Sequence, residues 1–425
     1  MAHALFSCFG IELEYMVVDR DSLAVRPIVD TLLRDVAGTA DAIVESESEP
    51  GWPDELSLGD ISLGNELTAH VLELKVSQPA PNLRGLSHDF HAAVLRLAPI
   101  LEKHNAMLLP GGMHPTMDPM REMKLWPHGN KEVYEAFNRI FDCRGHGWAN
   151  LQACHINLPF AEDATPAGEF GRLHAAIRAL LPILPALSAA SPIMDARATG
   201  LLDNRLEVYR TNSAKIPAAA GKVIPERVYT RADYHREILQ KIYDAYAPFD
   251  AAGVLRDEWA NSRGCIARFS RGAIEIHVLD VQECPRCDLA IAQAIICVLR
   301  ALCEGVGFDR PAIQALEVDP MHEILLSVIR DAERAVVRDG PYLRALGFAG
   351  PSCTAGELWR SLLERCAGND PGASTWMPVA DLVIAQGPLA RRILRAVGND
   401  ASPKAIATTY RRLAGCLASN SPFLP

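Results

Sequence analysis

Several separated stretches of this chain alternate polar and apolar residues with period two, and their polar positions carry charged or metal-binding side chains. In "FGIELEYMVVD", Phe9 to Asp19, the residues Gly10, Glu12 and Glu14 share one face, while Ile11, Leu13, Tyr15 and Val17 take the other. Side chains at i and i+2 of a strand point the same way, about 6.6 Å apart. The same split recurs in "HVLELKVS" (Glu73, Lys75), in "LQACHINL" (His155, Asn157) and in "AIEIHVLD" (Glu275, His277). In "CIARF", Arg268 alternates with Ala267 and Phe269. Taken alone, "ELE" is most simply a solvated sheet face. Repeated over several strands, the pattern predicts one sheet whose apolar face is covered by helices. Its other face gathers Glu12, Glu14, Glu73, His155, Asn157, Arg268, Glu275 and His277.

Carboxylates crowded on one face repel one another and raise each other's pKa values. Divalent cations remove the conflict. Carboxylate oxygens with an occasional His or Asn suit Mg²⁺ or Mn²⁺, and the lack of cysteine in the set disfavours zinc. Metals with an arginine alongside suit phosphoryl transfer. The chain has no G-x-x-x-x-G-K-[ST] loop, and "RGHGWAN" lacks the third glycine of a dinucleotide fingerprint. A bound nucleotide would therefore be held on the sheet through metals. The same clusters can activate water, so a metal-dependent hydrolase is the competing reading, although H-E-x-x-H is absent.

The length, 425 residues, allows two or three ordinary domains or one large one. A net charge of -10 argues against a broad nucleic-acid or anionic-membrane surface. No apolar run is long enough to span a bilayer; the most apolar helical stretch is broken by Pro182 and Pro185. Eleven scattered cysteines and no secretory signal read as reduced thiols in the cytoplasm. Cys284 and Cys287 form the one C-x-x-C, without a second ligand pair for zinc, so they read as free thiols at a loop-to-helix junction.

Along the chain, "SEPGWPDELSLGD" reads as loop, Leu86 to Lys103 as helix, and "GEFGRLHAAIRALLPILPALSAASP" as a long helix interrupted by its prolines. Ser270-Arg271-Gly272 lies between two alternating runs and predicts an antiparallel hairpin. From about Arg310 onward the pattern is mostly helical. These signals favour an α+β fold with an antiparallel sheet over a doubly wound one.

The motifs "GIELEY", "LELKVSQP", "LLPGGMHP", "ACHINLPF", "LSAASPIMDARATG" and "IEIHVLDV", in this order, resemble glutamate–cysteine ligases of the second sequence type and the related carboxylate–amine ligases. The likeness runs from about Phe9 to Leu302, with a weaker echo in "TTYRRLAGCLASN". It implies a glutamine synthetase-like fold: a saddle-shaped antiparallel sheet carrying Mg²⁺ ions and ATP, with a catalytic region over residues 1–309 and a helical region over 310–425 packed on it. It implies ATP-dependent amide formation through an acyl phosphate, from a small-molecule carboxylate such as glutamate and an amine. By this resemblance Glu12, Glu14, Glu73, His155, Asn157 and Glu275 occupy ligand positions, and Arg268 stands near the phosphates. Glu66 also falls where the family has an acidic ligand. It precedes Glu73 by an odd spacing, so a turn or bulge must intervene to bring both to one face. Arg205, Arg210 and Lys215 are candidates for holding a carboxylate or phosphate. His277 stands with Arg268 as a catalytic candidate, at a position that by the resemblance contacts phosphate or the substrate carboxylate; many members have Arg there, and a histidine makes a weaker contact. The departure admits a third reading, a catalytically altered homologue that still binds ATP and metal. The sequence leaves a homo-oligomer open.

Overall fold

The computed structural model describes residues 3–161, 165, 167–398 and 401–425. A nine-stranded sheet organises it: β1 (Gly10–Asp19), β2 (Ile43–Glu49), β3 (Trp52–Leu58), β4 (Ile61–Asn65), β5 (Val71–Val76), β6 (Ala106–Leu109), β7 (Ala153–Pro159), β8 (Cys265–Arg268) and β9 (Ala273–Asp280). The spatial order is β8-β9-β7-β1-β5-β4-β3-β2, with β6 also paired to β1. Every pairing is antiparallel. β1 is the hub: its first half pairs with β7, its second half with β6, and its other edge with β5.

The alternation dictates what the sheet buries. Ile11, Leu13, Tyr15, Leu56, Leu63, Leu72, Leu74, Ile156, Leu158, Ile274 and Ile276 are fully buried in one cluster. The same cluster takes in Phe90 and Leu97 of the helix Leu86–Lys103, Leu173 and Ile177 of Glu169–Leu180, and Ile295 and Leu299 of Pro285–Glu304. At about 1.5–3 kcal/mol for each large aliphatic side chain taken out of water, this face supplies the main drive for folding. The polar face of β1 does not stay polar to its end. Beyond Glu14, Met16 and Val18 lie under Leu389, Ile393, Tyr410 and Leu413 of the last two helices, Leu389–Val397 and Pro403–Ser419.

The hairpin at Ser270–Gly272 forms with Ile266 opposite Glu275 and Arg268 opposite Ala273. The helix Leu86–Lys103 has the expected bounds. The proline-interrupted helix breaks into Glu169–Leu180, a 3-10 turn at Leu181–Ile183, and Pro185–Ser188. One expectation fails. "SEPGWPDELSLGD" is not loop: it supplies the end of β2 and all of β3, turning at Gly51 with φ +81°. Pro53 is accommodated because β2 and β3 pair with register shifts there, so its missing N–H interrupts no regular ladder. Cys284 and Cys287 stand at the start of Pro285–Glu304 with sulfurs 3.7 Å apart, unbridged and buried. From residue 310 the described residues are mostly helical, with two-residue strands at Val336–Val337 and Cys353–Thr354 and short connections between the helices. Among the described residues, no helix is long and apolar enough to cross a membrane.

Candidate functional site

The polar face of the sheet floors a cavity of about 750 Å³. Pairing explains how distant residues meet there. Glu12 lies opposite His155 on one side and Lys75 on the other, Glu14 lies opposite Glu73, and Glu275 lies opposite Asn157. Glu73 in turn lies opposite Gly64 of β4. That register resolves the odd spacing of Glu66. Two residues beyond Gly64, just after the end of β4 and before the turn into β5, it keeps the parity of Gly64, shares the face of Glu73 and lines the cavity. Missing side chains also make room. A Cβ at Gly10 would lie 2.9 Å from Asn157 Cβ, and one at Gly64 would lie 3.2 Å from Glu73 Oε2.

The contacts form one network. His155 Nδ1 donates to Glu12 Oε2 at 2.9 Å, and Asn157 Nδ2 donates to Glu12 Oε1 at 3.0 Å. Glu14 Oε2 accepts from the backbone N–H of Ala153 at 2.7 Å, and its other oxygen lies 3.6 Å from His155 Nε2. Glu275 Oε1 is 3.5 Å from His155 Nδ1 and 3.0 Å from His277 Nε2, while Arg268 approaches Glu275 Oε2 at 3.5 Å. The His155 and His277 rings sit 4.6 Å apart between centroids. Lys75 Nζ bridges Glu55 and Glu73, at 3.0 Å from each.

Charge is unevenly shared. Burial pushes the Glu275 carboxyl up, but His277, His155 and Arg268 outweigh it and hold that group well below the usual range. Burial opposes a charge on His155, yet Glu14, Glu12 and Glu275 lift it to about 10. On the other side, burial followed by Glu12 raises Glu73 to about 8, with Lys75 only partly offsetting them. Burial, Glu14 and Glu73 raise Glu66 well above the ordinary value. One half of the site therefore has cations of its own. In the half formed by Glu14, Glu66 and Glu73, Lys75 and His155 only partly offset the buried acidity, and Glu66 and Glu73 stay raised. Hard oxygen donors in that state fit a divalent cation.

The helix Lys131–Phe141 roofs the cavity. Near one end, Tyr134 Oη accepts from Asn65 Nδ2 at 3.2 Å. One turn on, the Phe137 ring meets Trp259 at 5.8 Å. Glu55, Lys75, Tyr134, Phe137, Trp259 and Arg271 all line the space and were not among the sequence candidates. Glu55 and Ser57 share the polar face with Leu56 between them on the apolar one, a signal hidden once the segment is read as loop.

The three proposed substrate cations are not brought into this wall. Arg205 is buried beneath it, donating to the His277 carbonyl at 2.9 Å and facing Asp280 at 3.6 Å. It braces the bulge in β9, where one extra residue between Ile276 and Leu279 reverses the alternation after His277. Arg210 is paired with Glu207 on its own helix, at 2.5 and 2.7 Å. Lys215 donates to the Ile140 carbonyl at 2.9 Å and lies over the Phe249 ring. Each is already held by a local acceptor.

Comparison with known proteins decides the lineage. The model of glutamate–cysteine ligase family 2 matches residues 8–411. The chain belongs to that family. An uncharacterized protein of Archaeoglobus fulgidus is 32% identical over 98% of this chain and 100% of its own length. A provisionally named glutamate–cysteine ligase 2-3 of Rubrobacter xylanophilus is 24% identical over 80% of this chain and 85% of its own. The fold matches solved structures at low identity. A glutamate–cysteine ligase of Francisella tularensis, solved with AMP, aligns with TM-score 0.55 and 13% identity over 99% of this chain and 94% of that one. A bifunctional glutathione synthetase of Pasteurella multocida aligns with TM-score 0.59 and 13% identity over 96% of this chain, which spans 53% of that protein. Glutamate–cysteine ligase family 2 membership supports the activity class of a carboxylate–amine ligase acting on a small carboxylate and an amine.

Proposed function

We propose that this family 2 protein is an ATP- and Mg²⁺-dependent carboxylate–amine ligase that forms an amide and releases ADP and phosphate. The observation that carries the reading is the convergence of Glu12, Glu66, Glu73, His155 and Glu275 on one cavity floor, with Glu14 against His155 beside it. In this reading the sheet is the saddle that cradles ATP, residues 1–309 carry the chemistry, and 310–425 brace it. The eleven free cysteines suit a cytoplasmic enzyme.

Divalent ions bound there would supply charge neutralisation on the transferring phosphoryl group. Glu12, Glu14, Glu66, Glu73, His155, Asn157 and Glu275 are the residues that would hold and orient them. Arg268, at the cavity edge of β8, offers its guanidinium to a phosphate oxygen. The reaction needs no side-chain nucleophile. A substrate carboxylate oxygen attacks the γ-phosphorus as the bond to ADP breaks, giving an acyl phosphate. The amine nitrogen then attacks the acyl carbon, phosphate leaves, and the proton lost from nitrogen goes to the departing phosphate. Tyr134, Phe137 and Trp259 line the cavity and would shield an acyl phosphate there from part of the water that hydrolyses it. Glutamate is the carboxylate we assign, on family membership, with cysteine as the family's default amine.

The test is ADP release from ATP and Mg²⁺ with a panel of amino acids and amines. A ligase releases ADP in step with amide only when carboxylate and amine are both present. Hydrolysis of amide or ester substrates without ATP would replace this reading with the hydrolase one.

A further inference from the structure

His277 holds a position in the cavity that the ligase reading leaves without a defined task. Its Nε2 is buried and 3.0 Å from Glu275 Oε1, yet the pair does not have hydrogen-bond geometry, and Nε2 has no other partner. One donor atom from each of His155, Glu275 and His277 can be chosen so that all lie within 4.8 Å of one another. The closest separations in the group are 3.0 Å (His277 to Glu275) and 3.5 Å (His155 to Glu275). Ligands about 2.1 Å from a metal and 90–109° apart are about 3.0–3.4 Å from each other, so the His277–Glu275 separation matches that spacing and the His155–Glu275 one lies just beyond it, with His155 Nδ1 also 2.9 Å from Glu12 Oε2. The group is also braced from behind: Arg205 holds the His277 carbonyl, and the His277 N–H donates to the Gly264 carbonyl at 3.0 Å.

Donor chemistry separates this corner from the rest of the face. Glu14, Glu66 and Glu73 offer oxygen alone, which suits Mg²⁺. Two imidazoles with one carboxylate suit borderline ions such as Mn²⁺, Co²⁺ and Zn²⁺, whose affinity for nitrogen exceeds that of Mg²⁺. We propose that His277 is a metal ligand, and that with His155 and Glu275 it makes a second, nitrogen-rich site selecting a borderline divalent transition ion beside the all-oxygen site. The proposal rests on the reading that this face holds divalent ions. It adds that the two sites take different metals.

Co²⁺ alone is the probe. Titration of the full-length protein, followed by visible absorption, should show one Co²⁺ per chain in a nitrogen- and oxygen-ligated environment that a tenfold excess of Mg²⁺ does not displace. His277→Ala should weaken Co²⁺ by no less than the roughly tenfold to hundredfold that losing an outer hydrogen-bond partner costs a metal site, and leave Mg²⁺ binding within about twofold. His277→Gln, nearer in volume, repeats the measurement if the alanine variant loses its near-UV circular dichroism. Co²⁺ affinity unchanged by both substitutions, or displacement by equimolar Mg²⁺, overturns the proposal. If Co²⁺ fails in this way while Mg²⁺-dependent ADP release persists, only this inference falls. If Co²⁺ binds as described but no carboxylate–amine pair releases ADP, the ligase reading falls instead.

Discussion

Replacing Glu73 by glutamine should stabilise the metal-free protein near neutral pH while removing its response to Mg²⁺. Glu73 is buried among like charges, and burial followed by Glu12 lifts its carboxyl from an ordinary 4.5 to about 8. Between those values the folded protein holds a proton that the unfolded chain has released. A raised folded pKa contributes stability that is complete below the unfolded value and is lost as pH climbs through the folded one. Each pH unit inside the window costs about 1.4 kcal/mol for one such group, so a rise from about pH 5.5 to about pH 7.5 removes roughly 3 kcal/mol on account of Glu73. His155, lifted to about 10 by Glu14 and Glu12 against its burial, works in the same direction above its ordinary 6.5. Glutamine mimics the protonated carboxyl and still offers Lys75 an oxygen, so the variant lacks the Glu73 share of the slope and keeps the His155 share.

Guanidinium unfolding of chelator-treated protein across that pH range measures both slopes. The wild-type curve should fall by about 3 kcal/mol more than that of Glu73→Gln. Saturating Mg²⁺ should restore the wild type most at the upper end of the range, where an ion competes with the fewest protons, and should do little for the variant. Parallel curves for the two proteins, or equal stabilisation of both by Mg²⁺, would refute the claim that Glu73 is a buried carboxylate awaiting a cation.

Two further outcomes test other parts of the structure. Glu12→Gln and Glu275→Gln should each abolish ATP turnover with an unchanged circular dichroism spectrum, because both carboxylates meet at His155; wild-type turnover in either variant removes it from the metal set. Far from the cavity, Arg392 and Glu283 form a fully buried ion pair at 2.5 Å, and both hold the backbone of Phe423. Arg392→Met should cost about 3–5 kcal/mol by stranding Glu283, and adding Glu283→Leu should recover much of it; equal stability of single and double variants would show that the charge was never stranded.

What was legible in the chain was the part written in period two. Glu12 and Glu14, or Glu275 and His277, declare a shared face by spacing alone, and the apolar partners between them declare what that face rests on. The segment at Trp52–Leu58 was hidden because Pro53 and Gly51 signal a turn by composition, whereas irregular pairing with β2 lets the proline remain in a strand. Losing that strand also lost Glu55. The fates of Arg205, Arg210 and Lys215 were not legible for a different reason. A long cationic side chain goes to whichever acceptor the fold brings near it, here a backbone carbonyl, a helical neighbour and another carbonyl.

Glu66 shows where the boundary lies between what spacing says and what pairing says. Seven residues from Glu73, it belongs to the opposite face of any single strand. The hairpin from β4 to β5 matches Gly64 with Glu73, so even-numbered residues of β4 share a face with odd-numbered residues of β5. The relative parity of two carboxylates is therefore a property of the turn between them, not of their distance in sequence. The bulge in β9 makes the same point in reverse. Leu279, in step with Glu275 and His277 by number, is opposite Cys154 and buried with the apolar face, because the inserted residue changed the phase. A sheet that assembles acidic residues from four strands and one connection is specified by its turns and bulges as much as by the residues that do the binding. Shifting the β4–β5 register by one residue would send Glu66 into the hydrophobic layer with no partner, a cost of several kcal/mol that itself helps to hold the register.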